Sequence, residues 1–191
     1  MKGDDIMKHP LHILHRKDVG YMDWRDTLLT LWIGRTILIR DYILSLARAL
    51  QDLNFVTSRL LLNGAELARF FSYFYGFGIT NTIEPLLTQH VLILSELITA
   101  LSMESEIEPI LARWYENNNA IIEIMILVNP KADSPTLREA LNLQFQLELN
   151  LLQQMGMENY DEGFSTYDAS YDNALRIANN LNEAITAQFQ L

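Results

Sequence analysis

Through most of the chain, apolar residues recur three and four residues apart, the spacing that places them on one side of an α-helix. Only 8 glycines and 5 prolines interrupt the pattern in 191 residues, which leaves little turn-forming sequence for a β-fold. An apolar fraction of 49% suffices for one buried core in a chain of single-domain length. We therefore predict an all-α antiparallel helical bundle over residues 23–191, preceded by a flexible N-terminal arm, residues 1–22.

Capping residues and helix breakers set the predicted boundaries. Asp23 is a candidate N-cap for the first helix, and Ser134 precedes a proline that suits a first helical turn. The pair Asn63-Gly64 predicts a break that divides residues 52–75 into a short helical pair, because both residue types commonly end helices. An acidic turn is predicted over residues 157–165. The long helices are predicted at about 24–50, 82–103, 105–128, 134–155 and 165–189.

Charge and composition exclude several classes of function. The net charge of −10 repels phosphate backbones and anionic lipid, so we expect no binding to nucleic acid. The absence of cysteine excludes thiol catalysis, disulfides and thiolate metal sites. No uninterrupted apolar stretch approaches the ~20 residues that span a bilayer. We expect a cytoplasmic protein without membrane insertion.

An internal repeat relates two parts of the chain. Residues 31–43 align with residues 86–98 at an offset of 55, which pairs Arg35 with His90. The following segment repeats at an offset of 54, where residues 59–63 align with residues 113–117. The pattern predicts duplication of a helical segment.

Three polar residues interrupt apolar helix faces. Arg35, His90 and Glu148 each have apolar neighbours three, four and seven residues away, so each is expected to point inward. An unpaired buried polar group costs about 1–3 kcal/mol, so such residues need partners. One interpretation is a core pocket of the kind in which bundles hold metals, cofactors or substrates. The other is a buried polar cluster of Arg35, His90 and Glu148 that fixes how the helices pack. In it, Arg35 forms an internal ion pair with Glu148, Asp41 or Glu96, and His90 bonds to a neighbour.

The metal interpretation takes His90, Glu148 and Glu96 as ligands for iron, manganese or zinc. Glu96 lies at the edge of its apolar stripe, as does Asp41 at the matching place in the first unit. Each could reach inward or could be a solvated acid on the helix face. Arg35 argues against a complete metal site, because a guanidinium donates hydrogen bonds and accepts none. No glutamate is followed by histidine three residues later, which excludes the usual di-iron spacing of bundles.

Three weaker candidates lie elsewhere. His9, His12 and His15 are spaced three apart in the predicted arm, where they could capture a transition metal adventitiously. The acidic, aromatic stretch 160–172 could bind a cation or a basic partner, or could be a solvated loop before a helix. Asn118 falls on the apolar stripe of its helix and either points inward or marks a break in the helix.

Several short runs carry a resemblance to a known group of proteins. The residues concerned include Leu31-Trp32, Val56-Thr57-Ser58-Arg59, Thr88-Gln89-His90, Arg113-Trp114-Tyr115-Glu116-Asn117 and Gln188-Phe189. Over roughly residues 24–190 the chain resembles uncharacterised helical-bundle proteins of spore-forming Firmicutes, which are similar in organisation to hemerythrin-like and ferritin-like bundles. The resemblance implies a bacterial helical bundle and no particular activity.

The same resemblance implies inward histidines that this chain lacks. In that group, histidine occupies the position of Arg35 and another lies near the position of Ala140 or Asn142. Only His90 remains here, so any metal site implied by the resemblance is incomplete.

The sequence thus predicts a non-enzymatic structural or interaction protein, one that could bind a protein partner or self-associate, with Arg35, His90 and Glu148 buried in its core. The alternative is a metal- or small-ligand-binding bundle that uses His90 and Glu148, with Glu96 as a further ligand. No pairing of a nucleophile with a base and no cofactor motif indicates a reaction.

Overall fold

The computed structural model describes residues 23–191, which form six α-helices and, within that range, no strand. The predicted arm, with His9, His12 and His15, lies outside the described residues. Short 3-10 turns at Phe77–Ile79 and Pro130–Ala132 precede two of the helices. The helices are α1 (Trp24–Ala47), α2 (Leu53–Tyr75), α3 (Thr80–Ser102), α4 (Glu108–Val128), α5 (Pro135–Gly156) and α6 (Tyr160–Phe189). The all-α prediction is confirmed.

Helices that follow one another in sequence pack against one another, and α6 returns to pack against α1. At the start of α1, Trp24 contacts Phe74 near the end of α2, with ring centroids 5.4 Å apart. Further along, Asn63 of α2 donates a hydrogen bond to the Leu31 carbonyl of α1 at 2.9 Å. These contacts are those of antiparallel neighbours, while the antiparallel order of the whole bundle and the duplication stay predictions.

The core consists of two apolar halves along the helix axes. One half contains Leu28 and Leu141, and the other contains Leu94 and Leu152. Phe145 packs against both halves. Three buried polar side chains, Arg35 of α1, His90 of α3 and Glu148 of α5, lie at the level where the two halves meet.

The predicted break at Asn63-Gly64 is wrong, because α2 continues through both residues. The buried Asn63 amide bonds to α1 rather than ending the helix. Gly64 lies where α2 packs against α3, and a Cβ placed on it would lie 3.4 Å from Cβ of Leu87. The residues therefore serve packing between helices, and the predicted short helical pair is a single helix.

The predicted acidic turn over residues 157–165 is also wrong, since α6 begins at Tyr160. Asp161 and Glu162 lie in the first turn of α6, where carboxylates interact favourably with the unpaired amides of a helix N-terminus. The first helix ends at Ala47, a few residues earlier than predicted. Asp23 caps α1 by accepting from the Arg25 amide, which confirms the predicted N-cap. Ser134 caps α5 by accepting from the Leu137 amide.

One helical stretch within the described range, Phe77–Ser102, is long and apolar enough to cross a membrane, with a mean hydropathy of 1.3. In this fold, 44% of its most apolar window is buried in the bundle. A core position is sufficient to account for such a composition. The absence of membrane insertion stays a prediction.

Tyr75 gives the fold a testable dependence on alkaline pH. Burial raises the pKa of its hydroxyl from 10.0 to about 12, and a hydrogen bond from Asn129 partly opposes the rise. Between these values the unfolded chain loses the proton while the folded chain keeps it, so this contribution to stability is present below pH 10 and is lost as the pH rises towards 12. We expect Tyr75→Phe to make the free energy of unfolding fall less steeply over that window.

The free energy of unfolding is measured by urea unfolding from pH 9 upwards. The control is Tyr115→Phe, which changes an exposed tyrosine. The pKa of Arg35 is lowered, so Arg35 makes the free energy of unfolding rise with pH over the same range. Arg35 is present in all three proteins, so this effect is the same in each. Identical slopes in wild type and Tyr75→Phe would contradict the assignment.

Candidate functional site

The structure brings together the three residues that the apolar stripes selected. Arg35 comes from α1, His90 from α3 and Glu148 from α5, with 7%, 1% and 4% of their surfaces exposed. Each projects from the inward face of its helix, since a buried residue lies one turn before it and another lies one turn after it. The predicted buried polar cluster is therefore present between the two halves of the core.

His90 lies at the centre of this cluster and uses both ring nitrogens. Nε2 lies 2.8 Å from Oε2 of Glu148, and Nδ1 lies 3.0 Å from Oδ1 of Asn118 on α4. The ring packs against Trp114 and Phe145, with centroid distances of 4.2 and 5.4 Å. The histidine thereby links α3 to α4 and α5 through side chains whose positions the aromatic rings constrain.

The two possible orientations of the Asn118 side-chain amide imply different protonation states of His90. With Oδ1 facing the ring, both ring nitrogens must donate, and Nδ2 of Asn118 has no partner. With the amide rotated, Nδ2 donates to Nδ1 of a neutral His90 that donates from Nε2 to Glu148. The rotated arrangement leaves one cation, Arg35, and one anion, Glu148, so that the buried charges balance.

Arg35 is the cation of the cluster. Its Nη2 donates to the Leu87 carbonyl of α3 at 3.4 Å, while Nη1 has no hydrogen-bond partner. Burial lowers the pKa of the guanidinium to about 10, and the charge of Glu148 opposes that shift. Arg35 is therefore still charged at neutral pH, and Glu148 is its counter-charge. Within residues 23–191, no ion pair of 4 Å or less joins Arg35 to Glu148, Asp41 or Glu96, so the predicted direct ion pair is wrong.

A small cavity is lined by both charged groups. Its volume is about 20 Å³, and its polar lining comes from Arg35, Thr36, His90, Gln144 and Glu148. Gln144 lies on α5 one turn before Glu148, and it donates to Ser170 Oγ on α6 at 2.7 Å. Because a water molecule needs roughly 10–15 Å³ measured in this way, the cavity matches one water-sized molecule.

Gln144 is not among the inward residues predicted from the sequence, and Asn118 has two interpretations there. Both lie on the apolar stripes of their helices and are buried. That placement is the signal by which Gln144 could have been found.

Glu96 and Asp41 do not belong to the site. Glu96 lies on the surface, with 47% of its side chain exposed, and forms an ion pair with Arg113 of α4 whose hydrogen bond lowers the pKa of the Glu96 carboxyl. Asp41 pairs with the neighbouring Arg40 at 3.2 Å and is also exposed. Of the two alternatives for these residues, the solvated acid on a helix face is therefore the one observed, and each carboxylate pairs with an arginine.

The predicted metal ligands are therefore not assembled as a set. His90 and Glu148 are in contact, while Glu96 is on the surface. In the part of the chain that the structure describes, no three histidine, aspartate or glutamate side chains are grouped so that they could hold a metal ion. The residues present do not form the predicted His90, Glu148 and Glu96 site.

The acidic, aromatic stretch 160–172 is helical and packs on α1. Arg40 lies over the rings of Phe164 and Tyr167, at 5.2 and 5.1 Å from their centroids. Arg48 lies over the ring of Tyr160 in the same way, at 5.2 Å. Three aromatic side chains of the stretch thus hold α6 against α1, and the solvated-loop interpretation is wrong.

Comparisons with protein-family models, with curated proteins and with solved structures returned no match, so the resemblance to helical-bundle proteins of spore-forming Firmicutes stays a prediction.

Proposed function

We propose that the chain is a non-enzymatic structural or interaction protein, in which the buried cluster of Arg35, His90, Asn118 and Glu148 fixes how the helices pack. The observation that carries the proposal is that both ring nitrogens of His90 are bonded to side chains of neighbouring helices. A histidine used in this way has no free nitrogen for a metal or a substrate.

The cluster links four helices at one level of the bundle. Arg35 joins α1 to α3 through the Leu87 carbonyl, and His90 joins α3 to α4 and α5. Sliding any of these helices by one turn would separate the buried polar groups and place them against apolar side chains, at about 1–3 kcal/mol for each unpaired group. The alignment of the helices is thus specified more sharply than an apolar core alone would specify it.

The outer surface supports the interaction part of the proposal. The net charge of the chain, −10, favours a protein partner or a second copy of the chain over nucleic acid. Large apolar side chains are exposed on the surface as well, among them Phe55, Phe77 and Leu127. Such side chains supply contact area in protein interfaces.

A small-ligand site is the second candidate function, and the 20 Å³ cavity favours it. Its size excludes anything larger than a few atoms. For a metal ion, the guanidinium of Arg35 on the cavity wall adds electrostatic repulsion, and the ring nitrogens of His90 are already bonded.

Metal analysis of the full-length, untagged protein tests the proposal. The sample is a variant with His9, His12 and His15 replaced by glutamine, which removes adventitious binding by these histidines. We expect sub-stoichiometric iron, manganese and zinc, and a thermal unfolding midpoint that EDTA does not change. Stoichiometric metal that disappears on the further change His90→Gln would overturn the proposal in favour of a metalloprotein.

A further inference from the structure

The same asparagine bridge occurs in three successive pairs of helices. In each pair, a buried asparagine of the second helix donates through Nδ2 to a backbone carbonyl of the first helix, and its Oδ1 has no partner. The bridges are Asn63 to Leu31 at 2.9 Å in α1/α2, Asn117 to Leu86 at 3.1 Å in α3/α4, and Asn173 to Ala140 at 2.8 Å in α5/α6. Donor and acceptor are 32, 31 and 33 residues apart.

A buried polar residue follows each accepting carbonyl by four positions. These residues are Arg35 in α1, His90 in α3 and Gln144 in α5, and all three line the same cavity. The first two are already related by the offset of 55 in the sequence. The third pair of helices has the same plan, and around its asparagine the run Tyr171-Asp172-Asn173 parallels Tyr115-Glu116-Asn117.

We propose that the chain consists of three copies of one helical hairpin, and that the cavity shared by their equivalent residues Arg35, His90 and Gln144 is a binding site for one water-sized polar molecule that bridges Arg35 and Glu148. The inference goes beyond the proposed function, because it concerns the repeat and the occupant of the cavity.

The chemistry of the cavity wall selects the class of ligand. Arg35 is buried and its Nη1 has no partner, so this nitrogen needs an acceptor. Glu148 is a carboxylate that uses Oε2 towards His90, so its other oxygen needs a donor. A monatomic cation would be repelled by Arg35 and a monatomic anion by Glu148. A neutral molecule that can accept a hydrogen bond from Arg35 and donate one to Glu148 suits both groups. Water can do both and has the required size.

Water in the cavity is tested by counting long-lived internal waters through magnetic relaxation dispersion, in the full-length protein and in the double variant Arg35→Met, Glu148→Met. The double variant removes both polar partners and stays charge-balanced, and its circular dichroism verifies folding. We expect one fewer long-lived water in it, and no change in the control Asn142→Ala on the exposed face of α5. Equal counts would overturn the proposal.

A high-resolution crystal structure of the wild-type chain provides a second readout that needs no variant. One spherical density peak within hydrogen-bond distance of both Arg35 and Glu148 is expected. An empty cavity, a peak with an anomalous metal signal, or density for a larger molecule would each contradict the assignment.

The repeat itself is tested by the three variants Asn63→Ala, Asn117→Ala and Asn173→Ala. Each is expected to lower the midpoint of thermal unfolding by about 2–4 °C, since each removes one equivalent bridge. The control is Asn180→Ala on α6, whose exposed amide bonds only to the Arg176 carbonyl of its own helix. A lowered midpoint in only one or two of the three variants would contradict the threefold plan.

Discussion

Replacing Glu148 with glutamine is expected to lower the free energy of unfolding by about 3–5 kcal/mol, because it leaves Arg35 as a buried cation without its counter-charge. Glutamine has nearly the shape of glutamate and can still accept from Nε2 of His90, so the packing of the core is retained. The decrease in the free energy of unfolding therefore measures the effect of removing the charge of Glu148. Urea unfolding followed by circular dichroism measures it.

A matched control lies on the same helix. Glu139 of α5 is 75% exposed at its side chain and faces Arg176 at 3.9 Å, so Glu139→Gln removes an ion pair in solvent. Such exposed pairs contribute roughly 0–1 kcal/mol. A loss in Glu148→Gln no larger than that in Glu139→Gln would mean that Arg35 does not depend on Glu148.

Replacing His90 with alanine is expected to cost about 2–5 kcal/mol, the range for truncating a large buried side chain. The ring fills the space between Trp114 and Phe145, and its removal also takes away the partners of Asn118 and Glu148. Denaturant unfolding at constant pH measures the effect. The variant His90→Gln keeps an amide that can bond to one of these partners, so its loss is expected to be smaller. Equal losses in the two variants would show that hydrogen bonding at this position contributes nothing.

The inward residues could be predicted because helical periodicity fixes direction. Arg35, His90 and Glu148 lie within apolar stripes, and a residue at such a position faces the core whatever its own chemistry. Glu96 lies at the edge of a stripe, where periodicity leaves the direction open. The ion pair with Arg113 on α4 directs the Glu96 side chain to the surface, and that contact depends on how α3 and α4 pack.

The interpretation of Asn63-Gly64 failed for a related reason. Asparagine and glycine end helices because of their local backbone preferences, yet the same two residues also allow helices to approach and to bond through a side-chain amide. The choice between these uses depends on α1 and α3, which the local sequence around Asn63 does not contain.

Of the three proposed copies of the hairpin, only the first two are related by an alignment of the sequence. In the third, alanine replaces the leucine that accepts the bridge, and glutamine replaces the arginine or histidine that follows. The bond from Asn173 goes to a backbone carbonyl, which every residue type supplies, so the geometry persists where the side chains have changed.

A double-mutant cycle between Arg35 and Glu148 tests most directly the claim that the cluster is a charge-balanced structural element. The cycle compares wild type, Arg35→Met, Glu148→Met and the double variant by urea unfolding. We expect a large loss for Glu148→Met, a double variant within about 1–2 kcal/mol of wild type, and a coupling energy of at least about 2 kcal/mol. Losses that simply add, with a coupling energy below about 0.5 kcal/mol, would contradict the account.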